Sequence, residues 1–383
     1  MANQFLVPSE ILSGQGALER AGEELKKHGN KALIVTDDTM VKLGNAKLLE
    51  DVLDKHGVDY AVFSGVNFEP NDIVVKEARD AYVANRCDFL IALGGGSPID
   101  TAKAVGLLLA DDSPLSSHMG KLIDVQMPFL AAIPTTAGTG SEATKFTIIN
   151  DTATSVKMLL TGACLMPKLA IIDPAFTLTA PKSVTANTGI DALCHAVESY
   201  TSRKSQPLSD TFALSAIDRI FKNLLRCYEN GSDVEARIQM SLAALEAGIS
   251  FSNSSVTIVH GMSRPLGALF HVPHGLSNAM LLEGCMNFVA DGAYDRFGNI
   301  ARYLRLTNDK DDITATHIFL DALHELLEAL HVQTMSEFGI DKDTYFSYID
   351  KMSHDAYASG SPSNTIKEVT VEDMAKLYKD IYR

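Results

Sequence analysis

The chain has 383 residues, enough for two domains with sizeable cores. Its 46% hydrophobic and 21% charged composition is that of an ordinary globular protein. A formal net charge of −15 argues against nucleic acid and anionic membrane as partners, since both demand clustered Lys and Arg.

MANQFLVPSE has no basic stretch followed by an apolar one, so no signal peptide is expected. No run approaches the ~18 apolar residues of a membrane span. The five cysteines are scattered, odd in number and without C-x-x-C spacing. They predict no disulfide framework and a reducing cytoplasm.

The first half reads as alternating helices and strands. LERAGEELKKHG is an amphipathic helix stopped by Gly29, and KALIVTDD is a short apolar strand ending in acids. LLEDVLDKHG and VVKEARDAYVANR are helices, with the strand DYAVFSGV between them. CDFLIALGGG is a strand running into glycines, and FLAAIP and LAIIDP are buried strands closed by proline. Such βαβ alternation predicts a parallel, doubly wound, Rossmann-like α/β domain over residues 1–181. Beyond Pro181 strand signals vanish and long helical stretches follow, predicting an all-α domain over residues 182–383. A site in a cleft between the two is expected.

GGGSPIDTAK (residues 94–103) follows a strand and opens a helix. Glycines let backbone N–H groups approach an anion, and the helix N-terminus adds its positive dipole end. The candidates are Gly94, Gly95, Gly96, Ser97 and Asp100. The spacing is not G-x-G-x-x-G, so this is a different phosphate loop on a similar βα frame. PTTAGTGSE (residues 134–142) follows the next strand, and its hydroxyls suit sugar and phosphate. Asp37 ends an earlier strand. An acid there accepts ribose hydroxyls and repels a 2′-phosphate, favouring NAD(H) over NADP(H). The alternative is a helix cap, for which Asp38 is the better candidate.

Asp191 and His195 lie four apart in TGIDALCHAVESY, on one helix face. His260 and His274 each precede a glycine in VHGMSRPLGALFHVPHG. Pro265, Pro273 and the helix-breaking run from Gly261 to Gly275 are expected to rigidify a connection that holds the two imidazoles against the first helix. One carboxylate and three imidazoles suit Fe(2+) or zinc. A lone histidine is more often structural, and His271 is a pocket or alternative ligand candidate.

Together, GGGSPIDTAK, IPTTAGTGSEATKF, GIDALCHAVESY and VHGMSRPLGA followed by PHG resemble the group III, iron-dependent alcohol dehydrogenases. That family includes lactaldehyde reductase, 1,3-propanediol dehydrogenase and butanol dehydrogenases. The resemblance runs through nearly the whole chain, in order. It implies an α/β dinucleotide domain, a helical domain and iron held by Asp191, His195, His260 and His274. It implies cofactor contacts from Asp37, residues 94–97, Thr135, Thr136, Thr139, Ser141, Lys157 and Leu178, and a homodimer or larger assembly. The small-molecule substrate it implies is an aldehyde or alcohol.

One departure bears on substrate. Where the family commonly has HGMAHP, this chain has HGMSRP, so Arg264 replaces a histidine assigned to proton relay. A guanidinium fork suits carboxylate, phosphonate or sulfonate oxygens. Sulfoacetaldehyde, phosphonoacetaldehyde and succinic semialdehyde are therefore candidates; the alternative is an internal ion pair for Arg264. Ser252, Asn253, Ser254, Lys145 and Ser361 are further candidate pocket groups. Other readings are a neutral alcohol or diol dehydrogenase, a zinc-dependent glycerol dehydrogenase relative, a dehydroquinate synthase-like lyase and a non-catalytic nucleotide binder.

Overall fold

The computed structural model describes residues 2–154 and 156–383. Two compact units emerge: Leu6–Ala180, and Met1–Phe5 with Pro181–Arg383.

The first unit is α/β. Its strands are β1 (Glu10–Ser13), β2 (Lys31–Val35), β3 (Asp59–Phe63), β4 (Phe89–Gly94), β5 (Leu130–Pro134), β6 (Phe146–Asp151), β7 (Val156–Thr161) and β8 (Leu169–Ile172). Its helices are α1 (Ala17–Leu25), α2 (Asp38–Lys42), α3 (Asn45–His56), α4 (Asp72–Ala84) and α5 (Gly96–Ala110). Six strands form one parallel sheet in the order β1-β8-β5-β4-β2-β3. Successive side chains of a strand face opposite ways. Accordingly, Leu33 and Val35 of β2 join a core with Val75 of α4 and Val105 of α5. Ala32 and Ile34 join the other core with Leu25 of α1 and Leu49 of α3. Between β2 and β4 the winding reverses, since β2 connects outward to β3 and β4 lies on its other flank. Such a switch point opens a crevice at the C-terminal strand ends.

The continuous apolar runs FLAAIP and LAIIDP appear as β5 and β8, buried throughout. Short β1 and the antiparallel β6–β7 hairpin carried no recognised signal. β1 has only four residues, too few for a period to stand out.

The second unit is helical: α6 (Lys182–Tyr200), α7 (Pro207–Glu229), α8 (Val234–Asn253), α9 (Ile258–Phe270), α10 (His274–Val289), α11 (Tyr294–Tyr303), α12 (Asp312–Ala329), α13 (Lys342–Ser347), α14 (Ile349–Ala358) and α15 (Val371–Ile381). α6 is buried on every side from Gly189 to Tyr200 and packs on α7, α8 and α10. The stretch expected to be helix-breaking is instead mostly helix: α9 runs through Pro265. Burial of Ile258, Val259, Met262 and Leu266 on one face outweighs the proline's poor propensity. Only residues 271–273 connect α9 to α10. Among the described residues, no single helix is long and apolar enough to cross a membrane.

Candidate metal centre and dinucleotide loops

Four side chains from three helices converge in the helical unit. Asp191 and His195 come from one face of α6, His260 from the first turn of α9, and His274 is the first residue of α10. One ligating atom from each lies within 4.8 Å of all the others. Asp191, His195 and His260 are buried, whereas the His274 side chain is 49% exposed. The His195 ring stacks on Phe251 at 4.1 Å between centroids and lies 4.5 Å from the His260 ring. His195 Nδ1 is buried without a hydrogen-bond partner among the described residues.

The electrostatics suit a cation. Burial opposes ionisation of Asp191, yet the imidazoles of His195, His274 and His260 hold its carboxyl far below the usual range. Burial pushes His195 down to about 3, keeping it neutral, the form a metal needs. His260 is held up to about 9: burial pulls it down, but Glu198 and Asp191 more than compensate. A metal must therefore displace a proton there. One carboxylate and three imidazoles are a fitting donor set for iron(II) or zinc.

Two neighbours escaped the sequence reading. Glu198, fully buried, accepts from Thr257 Oγ1 at 2.8 Å, from Val259 N at 2.6 Å and from His260 Nδ1. Its signal was an acid three residues past His195, on the same helix. Asn278, four past His274, donates through Nδ2 to Asp191 Oδ1 at 2.6 Å. The same nitrogen lies 3.2 Å from His260 Nε2 and 3.3 Å from His274 Nε2.

Arg264 follows His260 by one helical turn on α9, so both side chains leave the same face. It is half-buried, and among the described residues it has neither hydrogen bond nor ion pair. The internal ion pair considered for it is not formed among the described residues. Burial lowers its guanidinium's affinity for a proton, with Glu198 opposing. His271 is exposed and ends α9 in the left-handed conformation, outside the four-residue cluster. Ser252 and Asn253 are buried in the last turn of α8, where Asn253 Nδ2 donates to Ile249 O at 2.9 Å. Ser254 Oγ donates to Ser250 O at 3.1 Å. Ser361 is buried just before Pro362, and a Cβ on Gly261 would meet Pro362 Cγ at 2.6 Å. The segment 361–364 thus lies against the first turn of α9.

In the α/β unit the two Gly/Thr loops touch. Gly94 has φ +154, and a Cβ there would fall 2.5 Å from Pro98 Cγ. A Cβ on Gly95 would stand 3.6 Å from Thr136 Oγ1, and one on Gly96 would stand 3.2 Å from Thr139 Cγ2 and 3.4 Å from Ser141 Oγ. Gly96 and half-buried Ser97 open α5, so its N-terminal amides lie beside those hydroxyls. Thr135 N donates to Gly94 O at 3.0 Å, and Thr136 Oγ1 is buried with no hydrogen-bond partner among the described residues.

The remaining expected site residues of the α/β unit make the following contacts. Asp100 accepts from Ile148 N at 3.0 Å and tethers α5 to β6. Lys157 pairs with Glu69 at 2.8 Å. Leu178 is 40% exposed, after a short 3-10 turn. Lys145 is half-buried, and burial lowers its pKa. The expected cap is corrected: Asp37, not Asp38, caps α2. Extended at φ −120, Asp37 accepts from Met40 N at 2.9 Å. Asp38 is already helical and accepts from Ser64 Oγ.

Comparison with known proteins agrees with this geometry. Residues 8–174 match the iron-containing alcohol dehydrogenase family, and residues 185–382 match the C-terminal domain of the Fe-containing alcohol dehydrogenase family. Choline dehydrogenase of Bacillus subtilis is 34% identical over 94% of this chain and 90% of its own length. The crystal structure of 1,3-propanediol oxidoreductase superposes with a TM-score of 0.96 at 29% identity, covering 100% of both chains. Sulfoacetaldehyde reductase from Bifidobacterium kashiwanohense, solved with NAD+, superposes with a TM-score of 0.89 at 27% identity, covering 100% of this chain and 99% of that one. The chain belongs to the iron-containing alcohol dehydrogenase family and is an oxidoreductase of alcohols and aldehydes with iron as its metal.

Proposed function

We propose that this enzyme reduces a short-chain aldehyde carrying an anionic group, with NADH as hydride donor. The observation that carries the reading is Arg264, a half-buried guanidinium with no partner among the described residues, one turn from His260. A desolvated guanidinium without a directly paired carboxylate is costly, even with Glu198 acting on it from a distance, so a substrate anion is its natural complement. The sulfoacetaldehyde reductase similarity supports this class. A permanently charged Arg264 also disfavours a cationic alcohol such as choline.

Iron held by Asp191, His195, His260 and His274 would supply Lewis-acid polarisation of a carbonyl, and a dinucleotide held by the Gly/Thr loops would supply the hydride. Arg264 orients the anionic end, with Ser361 and the Ser252–Asn253–Ser254 turn as further pocket groups and His271 at the rim. Gly94 to Ser97, with Thr135, Thr136, Thr139 and Ser141, cradle the pyrophosphate. Lys157 and Leu178 flank the dinucleotide, and Lys145 is a further group for the anionic end of the substrate. Asp37 selects NAD(H) over NADP(H) by charge. In this reading residues 1–181 bind the dinucleotide and residues 182–383 the metal and substrate. Five free thiols, four of them buried, support a cytoplasmic enzyme, and a homodimer is the proposed assembly.

A second reading, a neutral alcohol or diol as substrate, is favoured by the likeness to 1,3-propanediol oxidoreductase. The test is NADH oxidation by the iron-loaded enzyme, followed by absorbance. Sulfoacetaldehyde, phosphonoacetaldehyde and succinic semialdehyde are compared with lactaldehyde and butanal. A higher kcat/KM for one of the anions sustains the proposal; preference for the neutral aldehydes replaces it with the second reading.

A further inference from the structure

Glu198 is fully buried on α6, one turn beyond His195. Its two oxygens do different things. Oε1 takes the Val259 amide at 2.6 Å and the Thr257 hydroxyl at 2.8 Å, closing the N-terminus of α9 where an anion is favoured. Oε2 faces His260 Nδ1. The other ring nitrogen, Nε2, faces the cluster, 3.6 Å from Asp191 Oδ1.

We propose that Glu198 is a positioning residue for the metal: it fixes the His260 tautomer that can ligate. A carboxylate only accepts, so it holds the proton on Nδ1 and leaves the Nε2 lone pair for the ion. It also fixes the ring plane, because Oε1 is anchored to the backbone of the same helix turn. A second negative charge beside Asp191 raises the cluster's attraction for a divalent cation. The proposal rests on the reading of Asp191, His195, His260 and His274 as the metal ligands.

Glu198→Gln tests this with nearly no change of shape. The amide oxygen can keep the Val259 and Thr257 contacts, while the amide nitrogen then meets His260 Nδ1. A donor there favours the opposite tautomer, with the proton on Nε2. Zinc affinity of the metal-free protein is measured by competition with a chromophoric chelator, and NADH affinity by fluorescence. The expected result is a zinc Kd raised about 10- to 100-fold, with the NADH Kd unchanged. A role confined to capping α9 would leave the zinc Kd in place.

His260→Ala separates the two ideas. If it loses zinc while Glu198→Gln keeps wild-type affinity, the ligand reading stands and the Glu198 proposal falls. If His260→Ala also keeps wild-type affinity, the ligand reading itself is wrong. Should Glu198→Gln not fold, Glu198→Asp carries the test, because it keeps the charge but cannot span both partners. A weakened zinc Kd in that variant sustains the proposal, and an unchanged one overturns it.

Discussion

Asn278 Nδ2 donates to Asp191 Oδ1 at 2.6 Å, joining α10 to α6 through a buried carboxylate. Asp191 is 2% exposed, so water cannot replace that donor. Asn278→Ala is expected to destabilise the metal-free protein by about 1.5–3 kcal/mol, the range for a hydrogen bond to a charged group. Bound metal gives Asp191 another partner, so the loss should shrink in the loaded protein. Denaturant unfolding with and without zinc checks both; equal losses would remove the link to the cluster.

Arg264→His should lower kcat/KM for an anionic aldehyde by about 10- to 100-fold, the worth of a charge-assisted hydrogen-bond pair. Activity on propanal should change little. Steady-state kinetics on both substrates decide, and equal loss on both would make Arg264 a structural residue.

Asp191→Ala, or removal of metal by a chelator, is expected to cut activity at least about 100-fold, because several kcal/mol of transition-state stabilisation depend on the ion. Adding iron(II) should restore the chelated wild type and leave Asp191→Ala inactive. Metal analysis beside the assay identifies the cause.

Gly96→Val should separate the two loops, since even a Cβ there stands 3.2 Å from Thr139 Cγ2. NADH affinity is expected to fall about tenfold, the loss of roughly one hydrogen bond, while zinc affinity holds. Fluorescence titration of NADH reads the first, chelator competition the second.

Burial raises the Glu142 carboxyl to about 7, and the neighbouring Lys103 is pushed down to about 8. Folded protein thus keeps the Glu142 proton in a range where the unfolded chain, near 4.5, has released it. The folded state binds more protons there, so this residue's contribution to stability falls as pH rises through that window. Glu142→Gln should remove that fall: its stability relative to wild type should be more favourable at about pH 8 than at about pH 5. Urea unfolding at the two pH values measures the difference, and a pH-independent difference would contradict the shift.

The parallel domain was legible because β4 and β5 are short apolar runs between glycine or proline stops, and α1 and α3 carry clear amphipathic periods. The i, i+4 spacing of Asp191 and His195 placed them on one helix face before any fold was known. α9 was misread because local propensity weighs Gly261 and Pro265 heavily, whereas buried neighbours decide the outcome. The caps of α2 were exchanged for a similar reason: which of two adjacent acids turns toward a free amide depends on a backbone angle that composition does not encode.

By itself the amino-acid order determined the donor types, the loop glycines and the substitution of arginine at 264, because those are local chemical identities at fixed spacing. Only the tertiary structure decided that α6, α9 and α10 meet at one point, that Glu198 faces His260 and Asn278 faces Asp191, and that Arg264 forms no ion pair or hydrogen bond among the described residues. Those contacts join residues from 18 to 87 positions apart. Their distances are set by how buried helices pack, which no local pattern in the chain records.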